Sequence, residues 1–297
     1  MPATLGQFGY AGPGVGGTED TTRFRSGPIW GSFPMTRYLY NPDHFVWWWD
    51  DFDVTPALTS ATTAINRYPY MSYIDSSNTI VKVLTEKMLG VLRLATDATD
   101  NDAPVVSMAG DSVCVCISDT AGDDMPLWFE SRWRKSSVTD NQCAIHNGFC
   151  EETRAVDDGL LTDNTGTIIQ SGGSYTIDDI GFNVRQDNGE ELDFQWGKAS
   201  GAGVELIAAL DSLVASTWVK TGFKYQPAVT NKPAAQRIAV FLNGVENSTY
   251  GTATQVATAT FPDAEELQWA VGSKNGEGTA TDFDIDWVCF AQEKRSS

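Results

Sequence analysis

The 297-residue sequence predicts an all-β protein built as a sandwich of antiparallel sheets, and two observations carry this prediction. The first is the stretch 237–246, RIAVFLNGVE, in which apolar residues occupy both faces of a strand before Asn243-Gly244. Asn-Gly is favoured in a type I′ turn because both central residues need positive φ. A strand that is apolar on both faces belongs inside a sheet stacked on another sheet.

The second observation is composition. The chain has ten Trp, fourteen Phe and nine Tyr, whereas only 20% of its residues are charged. Ser, Thr, Gly, Asn and Asp are abundant, and this balance is typical of short strands with large apolar faces joined by polar turns. The length is sufficient to bury a sizeable core.

Charge and cysteine content limit the partners and the compartment. A formal net charge of −19 disfavours nonspecific binding to nucleic acid or to an anionic membrane. No stretch approaches the roughly 20 apolar residues of a membrane span, and the N-terminus lacks the pattern of a signal peptide. Five cysteines form an odd set that is typical of reduced thiols. We therefore expect a protein made in the cytoplasm, without nucleic-acid or membrane partners.

Residues 1–36 differ from the rest of the chain and are predicted to form an extended Gly/Pro-rich arm, followed by one sandwich domain over residues 37–297. The arm repeats Gly and Pro, as in GYAGPGVGG, and shows no hydrophobic period. A disordered terminus is the alternative, but the arm is richer in aromatic and aliphatic residues than a solvated tail. We expect it to dock on a partner subunit through Arg23, Phe24, Arg25, Ile29 and Trp30.

The densest aromatic cluster follows the arm, in the sequence TRYLYNPDHFVWWWDDFD at residues 36–53. Consecutive indoles at Trp47, Trp48 and Trp49 lie on alternating faces of a strand. Such a cluster suits a sugar-stacking platform, but packing in a core or a subunit interface is the commoner use of Trp. We predict that the three residues contribute to a subunit contact.

Alternating patterns predict about a dozen strands along the remainder. LWFESRWR at 127–134 is expected to pair with its antiparallel return at 141–151, and GFNVRQDNGEELDFQW at 181–196 to form a hairpin. STWVKTGFKY at 216–225 precedes the Asn-Gly hairpin. In DFDIDWV at 282–288, strict alternation would place Phe283, Ile285 and Trp287 on one face.

The sequence contains two sets of candidate metal ligands, and neither is predicted to bind a metal. Asp97, Asp100 and Asp102 lack the spacing of an EF-hand loop, which favours a solvated turn. Cys143, His146 and Cys150, with the upstream CVC at 114–116, match no common zinc-finger spacing, which favours core thiols. No metal or other cofactor is predicted.

The order of these strands resembles that of the concanavalin A-like, or laminin-G-like, jelly roll over residues 80–292. It resembles more closely a group of tailed-bacteriophage virion proteins with this domain, through the segments DDF, GVLRLATDATDND, ISDTAGDD and LWFESR. The resemblance implies a two-sheet jelly roll acting as a capsid cement or decoration protein on the exterior of the virion. It further implies the major capsid protein and a homotrimer of the chain itself as partners.

Two alternatives accompany this interpretation. Glucanases of the same fold place three acidic residues on one face of a strand, and Glu191 and Asp193 begin that pattern. Gln195 ends it, and an amide cannot donate the proton at neutral pH, so we predict no enzymatic activity. A lectin that binds surface glycans in host attachment is the other alternative.

Overall fold

The computed structural model describes residues 25–52, 58–59, 65–67, 70–74, 79–83, 90–99, 102–108, 113–118, 125–151, 170–171, 174–175, 177–185, 187–199, 201, 203–226, 236–263 and 265–294. Two antiparallel sheets of nine strands each dominate this part of the chain, so the predicted all-β class is confirmed. Within these residues no helix is long and apolar enough to cross a bilayer.

Strands are numbered in chain order. Sheet A consists of β1 (Phe45–Asp50), β2 (Leu58–Thr59), β5 (Thr79–Val83), β6 (Val91–Ala95), β9 (Leu127–Lys135), β16 (Val219–Tyr225), β17 (Gln236–Leu242), β18 (Val245–Thr252) and β20 (Asp282–Glu293). Its order is β18-β17-β16-β9-β20-β6-β5-β2, and β1 pairs with β20 beyond the end of β6.

Sheet B consists of β3 (Ile65–Arg67), β4 (Tyr70–Tyr73), β7 (Val105–Met108), β8 (Cys114–Cys116), β10 (Cys143–Glu151), β13 (Asp179–Val184), β14 (Glu191–Gly197), β15 (Val204–Ser212) and β19 (Glu266–Asn275). Its order is β15-β14-β13-β10-β19-β7-β4-β3, with β8 also on β19. A two-stranded ribbon is formed by β11 (Gln170–Ser171) and β12 (Ser174–Tyr175). The helical elements are α1 (Gly27–Trp30), α2 (Met35–Tyr40), a 3-10 turn (Pro42–His44) and α3 (Ala253–Val256).

The core lies between the sheets and is centred on phenylalanine rings from both. Phe223 of sheet A lies 5.4 Å from Phe129 and 5.3 Å from Phe194, between ring centroids. Phe129 in turn lies 5.3 Å from Phe149 of sheet B, and each of these side chains is fully buried. Offset and edge-to-face aromatic contacts of this kind stabilise the stacking of the two sheets.

The predicted Asn-Gly hairpin is confirmed. β17 and β18 are joined by Asn243 and Gly244, with φ of 50° and 80°, as a type I′ turn requires. Ile238 and Val240 face the core. Phe241, on the other face of β17, is buried as well, but by the N-terminal segment of the chain rather than by another sheet.

Two predictions about pairing and orientation are wrong. β10 does not return beside β9: it pairs with β13 and β19 in sheet B, and the connection between β9 and β10 crosses from one sheet to the other. In β20, a bulge between Ile285 and Trp287 breaks the alternation. Ile285 therefore faces the core, whereas Trp287 stacks on Trp49 of β1 at 5.4 Å.

The arm predicted over residues 1–36 is described only from Arg25 onward. In that part the expectation of an extended, unpacked arm is wrong, because residues 27–30 form α1 and the segment lies against sheet A of its own chain. Pro28 at the start of α1 favours this helical turn, since its fixed φ suits the first helical positions. Ile29 and Phe33 are buried there, with exposed fractions of 0% and 7%.

Candidate functional site

The most elaborate polar and aromatic arrangement in the described residues is the place where the N-terminal segment Arg25–Phe33 lies on the outer face of sheet A, the face turned away from sheet B. We call this place the segment site. Its floor is formed by β9, β16, β17, β20 and β1. A small apolar cluster separate from the main core seals it, comprising Ile29, Phe33, Phe45, Trp128, Ala239, Phe241 and Ala291.

The side chain of Ile29 fits into a gap left by a glycine in β16. A Cβ atom built on Gly222 would lie 2.5 Å from Ile29 Cδ1 and 2.7 Å from the backbone oxygen of Phe129, so a larger residue would force Ile29 and the strand to shift. Glycine in a strand interior often marks the close approach of another segment, and here that segment is the chain's own N-terminal region. Phe33 extends the contact, because its ring lies edge-on to that of Trp128 with 5.2 Å between centroids.

A buried carboxylate fixes the start of the segment. Glu130 of β9 is fully buried and accepts hydrogen bonds from the backbone N–H of Ser26 at 2.9 Å and from Trp30 Nε1 at 2.9 Å. The Ser26 hydroxyl donates a third, short bond to the same carboxylate. Burial raises the pKa of Glu130, whereas the bonds from Ser26 and the charge of Lys220 oppose that rise.

Two lysines of β16 complete the polar frame. Lys220 Nζ donates to the Ser26 hydroxyl oxygen at 3.2 Å, and Lys224 Nζ donates to the backbone carbonyl of Pro28 at 2.8 Å. Lys220 and Lys224 flank Gly222 on the same face of the strand. β16 thus contacts the segment through two charged lysine side chains, one of which donates to a backbone carbonyl, and through the gap over Gly222.

Arg25 lies on a cage of indole rings. Its guanidinium carbon is 4.8 Å from the ring centroid of Trp49, 5.5 Å from that of Trp47 and 5.7 Å from that of Trp30. These are cation–π distances. Arg25 also covers the buried Cys289 with an Nη1 to Sγ distance of 3.9 Å, and burial raises the pKa of that thiol.

Most of the predicted contact residues therefore meet, but within one chain. Arg25, Ile29, Trp30, Trp47 and Trp49 belong to the segment site. Trp48 instead points toward the core, and its Nε1 donates to the Tyr70 hydroxyl at 3.1 Å. Arg23 and Phe24 lie outside the described residues. The role of these residues in a partner contact stays a prediction, except that a fully buried Ile29 is unavailable to a partner while the segment lies here.

The outer face of sheet B carries a second polar arrangement, which we call the polar row. It consists of His146, Asn183 and Asp193, opposite one another on β10, β13 and β14. All three are fully buried, and His146 Nδ1 is paired with Asn183 Oδ1 at 2.8 Å. Burial lowers the pKa of His146 to about 4, so the ring is neutral at pH 7. Within the described chain, His146 Nε2 and Asn183 Nδ2 have no hydrogen-bond partner.

Asp193 holds the backbone rather than a ligand. Its Oδ1 accepts from the backbone N–H of Ala209 at 2.9 Å, and its Oδ2 lies 3.2 Å from Arg185 Nε. Ala209 has φ of +48° and lies where the pairing of β14 with β15 is irregular. Burial raises the pKa of Asp193, against the bond from Ala209 and the charge of Arg185. Asp193, the middle residue of the glucanase-like pattern, is thus held by contacts with the edge strand β15 and with Arg185.

The remaining two positions of that pattern are the outward-facing neighbours of Asp193. Glu191 lies near Arg185, with 3.8 Å between Oε2 and Nη2, and Gln195 is 8% exposed. The three residues do share one face, as alternation predicts. Glu191 and Asp193 stand at the nucleophile and orienting positions, whereas Gln195 stands at the position of the general acid, and an amide cannot serve as that acid.

The geometry gives no support to the zinc set. Cys143 faces the core, whereas His146 and Cys150 lie on the opposite face of β10, so the three cannot converge on one ion. Of the acidic trio, Asp97 accepts from the backbone N–H of Thr99 at 2.6 Å, as in a polar turn, and Asp100 lies outside the described residues. Across the described positions, no group of three or more metal-ligating side chains is found.

Sequence reasoning missed Glu130, Lys220 and Lys224. Each alternates with apolar residues, and such charged residues are normally taken as solvent-facing. The one available signal was Gly222, a lone glycine within an otherwise regular strand, which indicates either a bulge or a close approach. Nothing in the sequence pairs Gly222 with Ile29, 193 positions earlier.

No protein-family model matches the chain, and no curated protein matches it. Solved structures do. Peanut lectin in complex with a nine-residue peptide superposes with a TM-score of 0.51 at 10% identity, covering 84% of this chain and 97% of the lectin. A protein of unknown function from Shewanella oneidensis MR-1 gives 0.49 at 16% identity, covering 85% and 88%. A GH16 protein from Bacteroides ovatus, in complex with its product, gives 0.49 at 8%, covering 82% and 99%.

At such low identity the similarity to peanut lectin bears on the fold alone. Together with the two nine-stranded antiparallel sheets, this similarity shows that the chain has a two-sheet jelly-roll fold like that of peanut lectin.

Proposed function

We propose that this protein is a non-enzymatic decoration or cement protein of a bacteriophage capsid, bound to the exterior of the shell. The observation that carries the non-enzymatic part is the incomplete acidic pattern on β14, where Gln195 stands in place of an acid and Asp193 is tied to the edge of the sheet. The virion part rests on the segments DDF, GVLRLATDATDND and LWFESR.

A cement protein stabilises a shell by adding buried area across the joints between capsid subunits. Apolar burial contributes roughly 25 cal/mol per Å², so a modest footprint repeated many times resists internal pressure. A rigid jelly roll suits this role because its two sheets share one continuous core. Helix α2 adds side chains suited to a footprint, since Leu39 and Tyr40 are 66% and 80% exposed.

Capsid binding is tested by co-sedimentation of the purified protein with capsids that lack it. The docked segment is part of the fold from residue 25 onward, so the informative truncation removes residues 2–24 and keeps Arg25. We expect the full chain to sediment with capsids, to raise the temperature at which they release DNA, and to lose affinity on truncation. Absence of the full chain from the pellet at micromolar concentration would reject the proposal.

The absence of catalysis has its own test. The protein is incubated with laminarin and mixed-linkage glucans, and reducing sugar is measured beside the variant Glu191→Gln. We expect neither protein to release sugar above the buffer control. Sugar release by the parent chain that the variant lacks would overturn the non-enzymatic part and leave capsid binding to be judged by sedimentation.

The second candidate function is glycan binding during attachment to a host surface. Its support is the lectin-like fold. A glycan array screened with and without calcium distinguishes the two candidates. Saturable binding to one glycan class by a chain that does not sediment with capsids would favour this candidate over cementing.

A homotrimer completes the proposal, as the resemblance to virion proteins implies. Its mass is measured by light scattering in solution without capsids. A mass near three times 32.3 kDa is expected, whereas a single chain at all concentrations would count against this part.

A further inference from the structure

We propose that the segment site is a docking site between copies of this chain: the segment Arg25–Phe33 of one copy occupies the segment site of a second copy, and this exchange links the copies. The inference concerns contacts between identical chains and does not depend on a capsid.

The site recognises its occupant by four separate features. A buried carboxylate, Glu130, takes three donors from the segment. The gap over Gly222 takes one aliphatic side chain, and Lys224 takes one backbone carbonyl. Rings on β1 take one guanidinium. This is the specificity of a receptor for a short peptide of defined sequence, and every copy of the chain carries that peptide.

The segment is joined to the sandwich by a connection that holds it loosely. Residues 34–44 lie between two buried anchors, Phe33 and Phe45, yet none of their side chains is buried. Helix α2 in this connection buries no residue. The ties from the connection to β20 lie at the surface: an ion pair from Arg37 to Glu293, and a bond from the Lys294 N–H to the His44 carbonyl at 2.6 Å.

The connection is also long enough for exchange. Eleven residues span up to about 36 Å when extended, which is comparable with the diameter of a small domain. Pro34 and Pro42 disfavour helical backbone at the residue before each of them, which interrupts regular structure in the connection. Opening the connection exposes no fully buried side chain and gives up the partly buried packing of Met35 and Tyr38 on the apolar cluster. The segment recovers its own contacts on a second copy.

A second copy is the occupant that the observations favour over an unrelated partner. The contacts within one chain already define the complementary peptide, and exchange reproduces them without any new surface. In the closed form the segment docks on its own chain, at an effective concentration that the connection fixes. In the exchanged form it docks on another copy, so the balance between the two forms depends on the protein concentration. Segments docked on their own chain at low concentration, and segments docked on another copy at high concentration, are the expected states of this exchange, whatever other contacts join the copies.

The test uses two full-length variants with complementary defects. Ile29→Asp damages the segment and leaves the site intact, whereas Glu130→Lys damages the site and leaves the segment intact. Neither variant can link to itself through the segment, but in a mixture the Glu130→Lys copy can dock its segment on the Ile29→Asp copy. We expect native mass spectrometry to show at least tenfold more linked pairs in the mixture than in either variant alone, with every pair containing both variants.

A second measurement avoids destabilising substitutions. Photo-leucine is placed at position 29 in the full-length protein, and chains labelled with ¹⁵N are mixed with unlabelled chains before irradiation. Cross-linked peptides that join position 29 to β16 report which copy supplies the site. Mixed-isotope pairs that increase with concentration support exchange. Only same-isotope pairs at all concentrations, or no excess of mixed pairs in the first experiment, would overturn the proposal.

Discussion

The side chain of Ile29 lies over Gly222 in a gap that exists because residue 222 has no Cβ. This contact joins the N-terminal segment to the middle of β16 and is sealed by aromatic rings of β1 and β9. It makes a segment with the composition of a flexible arm into part of the folded protein.

Replacing Ile29 by Ala should destabilise the docked segment. Removal of a buried aliphatic side chain costs about 2–5 kcal/mol, and we expect the lower end because the segment lies at the surface of the sandwich. The measurement is urea-induced unfolding followed by tryptophan fluorescence. Val245→Ala is the matched control, since that side chain is 70% exposed and its loss should cost less than about 0.5 kcal/mol. Equal costs for the two variants would contradict the assigned packing.

Replacing Glu130 by Ala should release the segment while the sandwich stays folded. The change leaves three donors without their acceptor, namely the Ser26 N–H, the Ser26 hydroxyl and the partly buried Trp30 Nε1, at a cost of about 1–3 kcal/mol for each group that stays buried. Release uncovers Cys289, which Arg25 covers in the docked state. Alkylation of Cys289 by iodoacetamide, followed by peptide mass mapping, should therefore become at least tenfold faster.

The control for that labelling experiment is Glu266→Ala, at an exposed position on sheet B. Alkylation of Cys289 in this variant should match that of the parent chain. Unchanged alkylation in Glu130→Ala as well would show that the carboxylate does not hold the segment.

His146 should make stability depend on pH. Burial lowers the pKa of His146 to about 4 in the folded protein, below the usual 6.5. Below pH 6.5 the unfolded chain therefore binds a proton that the folded protein does not bind. The free energy of unfolding is highest, as far as this residue is concerned, above pH 6.5 and falls as the pH is lowered toward 4. The shift corresponds to about 3 kcal/mol at most. Raised pKa values at Glu130 and Asp193 act in the opposite sense, because their contributions are present at low pH and are lost as pH rises.

The contribution of His146 is isolated by difference. Free energies of unfolding of the parent chain and of His146→Gln are compared between pH 7 and pH 4, and the parent should lose more stability over that interval. His44→Gln, at the other histidine of the chain, shows whether the effect belongs to position 146. A constant difference between the parent and His146→Gln across the interval would disprove the assignment.

Arg25→Ala should change tryptophan fluorescence with little loss of stability. The guanidinium lies over three indoles, and a partly exposed cation–π contact contributes about 0.5–1 kcal/mol. Its removal should shift the emission maximum to longer wavelength. Arg37→Ala removes a surface guanidinium near Phe45 and serves as the control, with no such shift expected. An unshifted spectrum for Arg25→Ala would contradict the cage.

Much of the jelly roll was predictable from local patterns, as the Asn243-Gly244 turn illustrates. Local patterns failed where the arrangement depends on distant residues. The bulge before Trp287 gives no sequence signal, because the alternation of apolar and acidic residues in DFDIDW continues through it. The change of sheet between β9 and β10 is likewise invisible to periodicity, since both are regular strands. The burial of Glu130 requires a segment about 100 positions earlier to lie on it.

The pairing of β1 with β20 means that β1 can take its place in sheet A only late in synthesis. Phe45 pairs with Glu293 and Asp50 with Val288, so the aromatic strand finds its partner only after nearly 240 further residues have been synthesised. Contacts of such sequence separation are slow to form and expose apolar surface in the meantime. Three consecutive indoles would remain uncovered during that interval. Chaperone dependence and aggregation of nascent chains are therefore expected to depend on the tryptophans at 47–49.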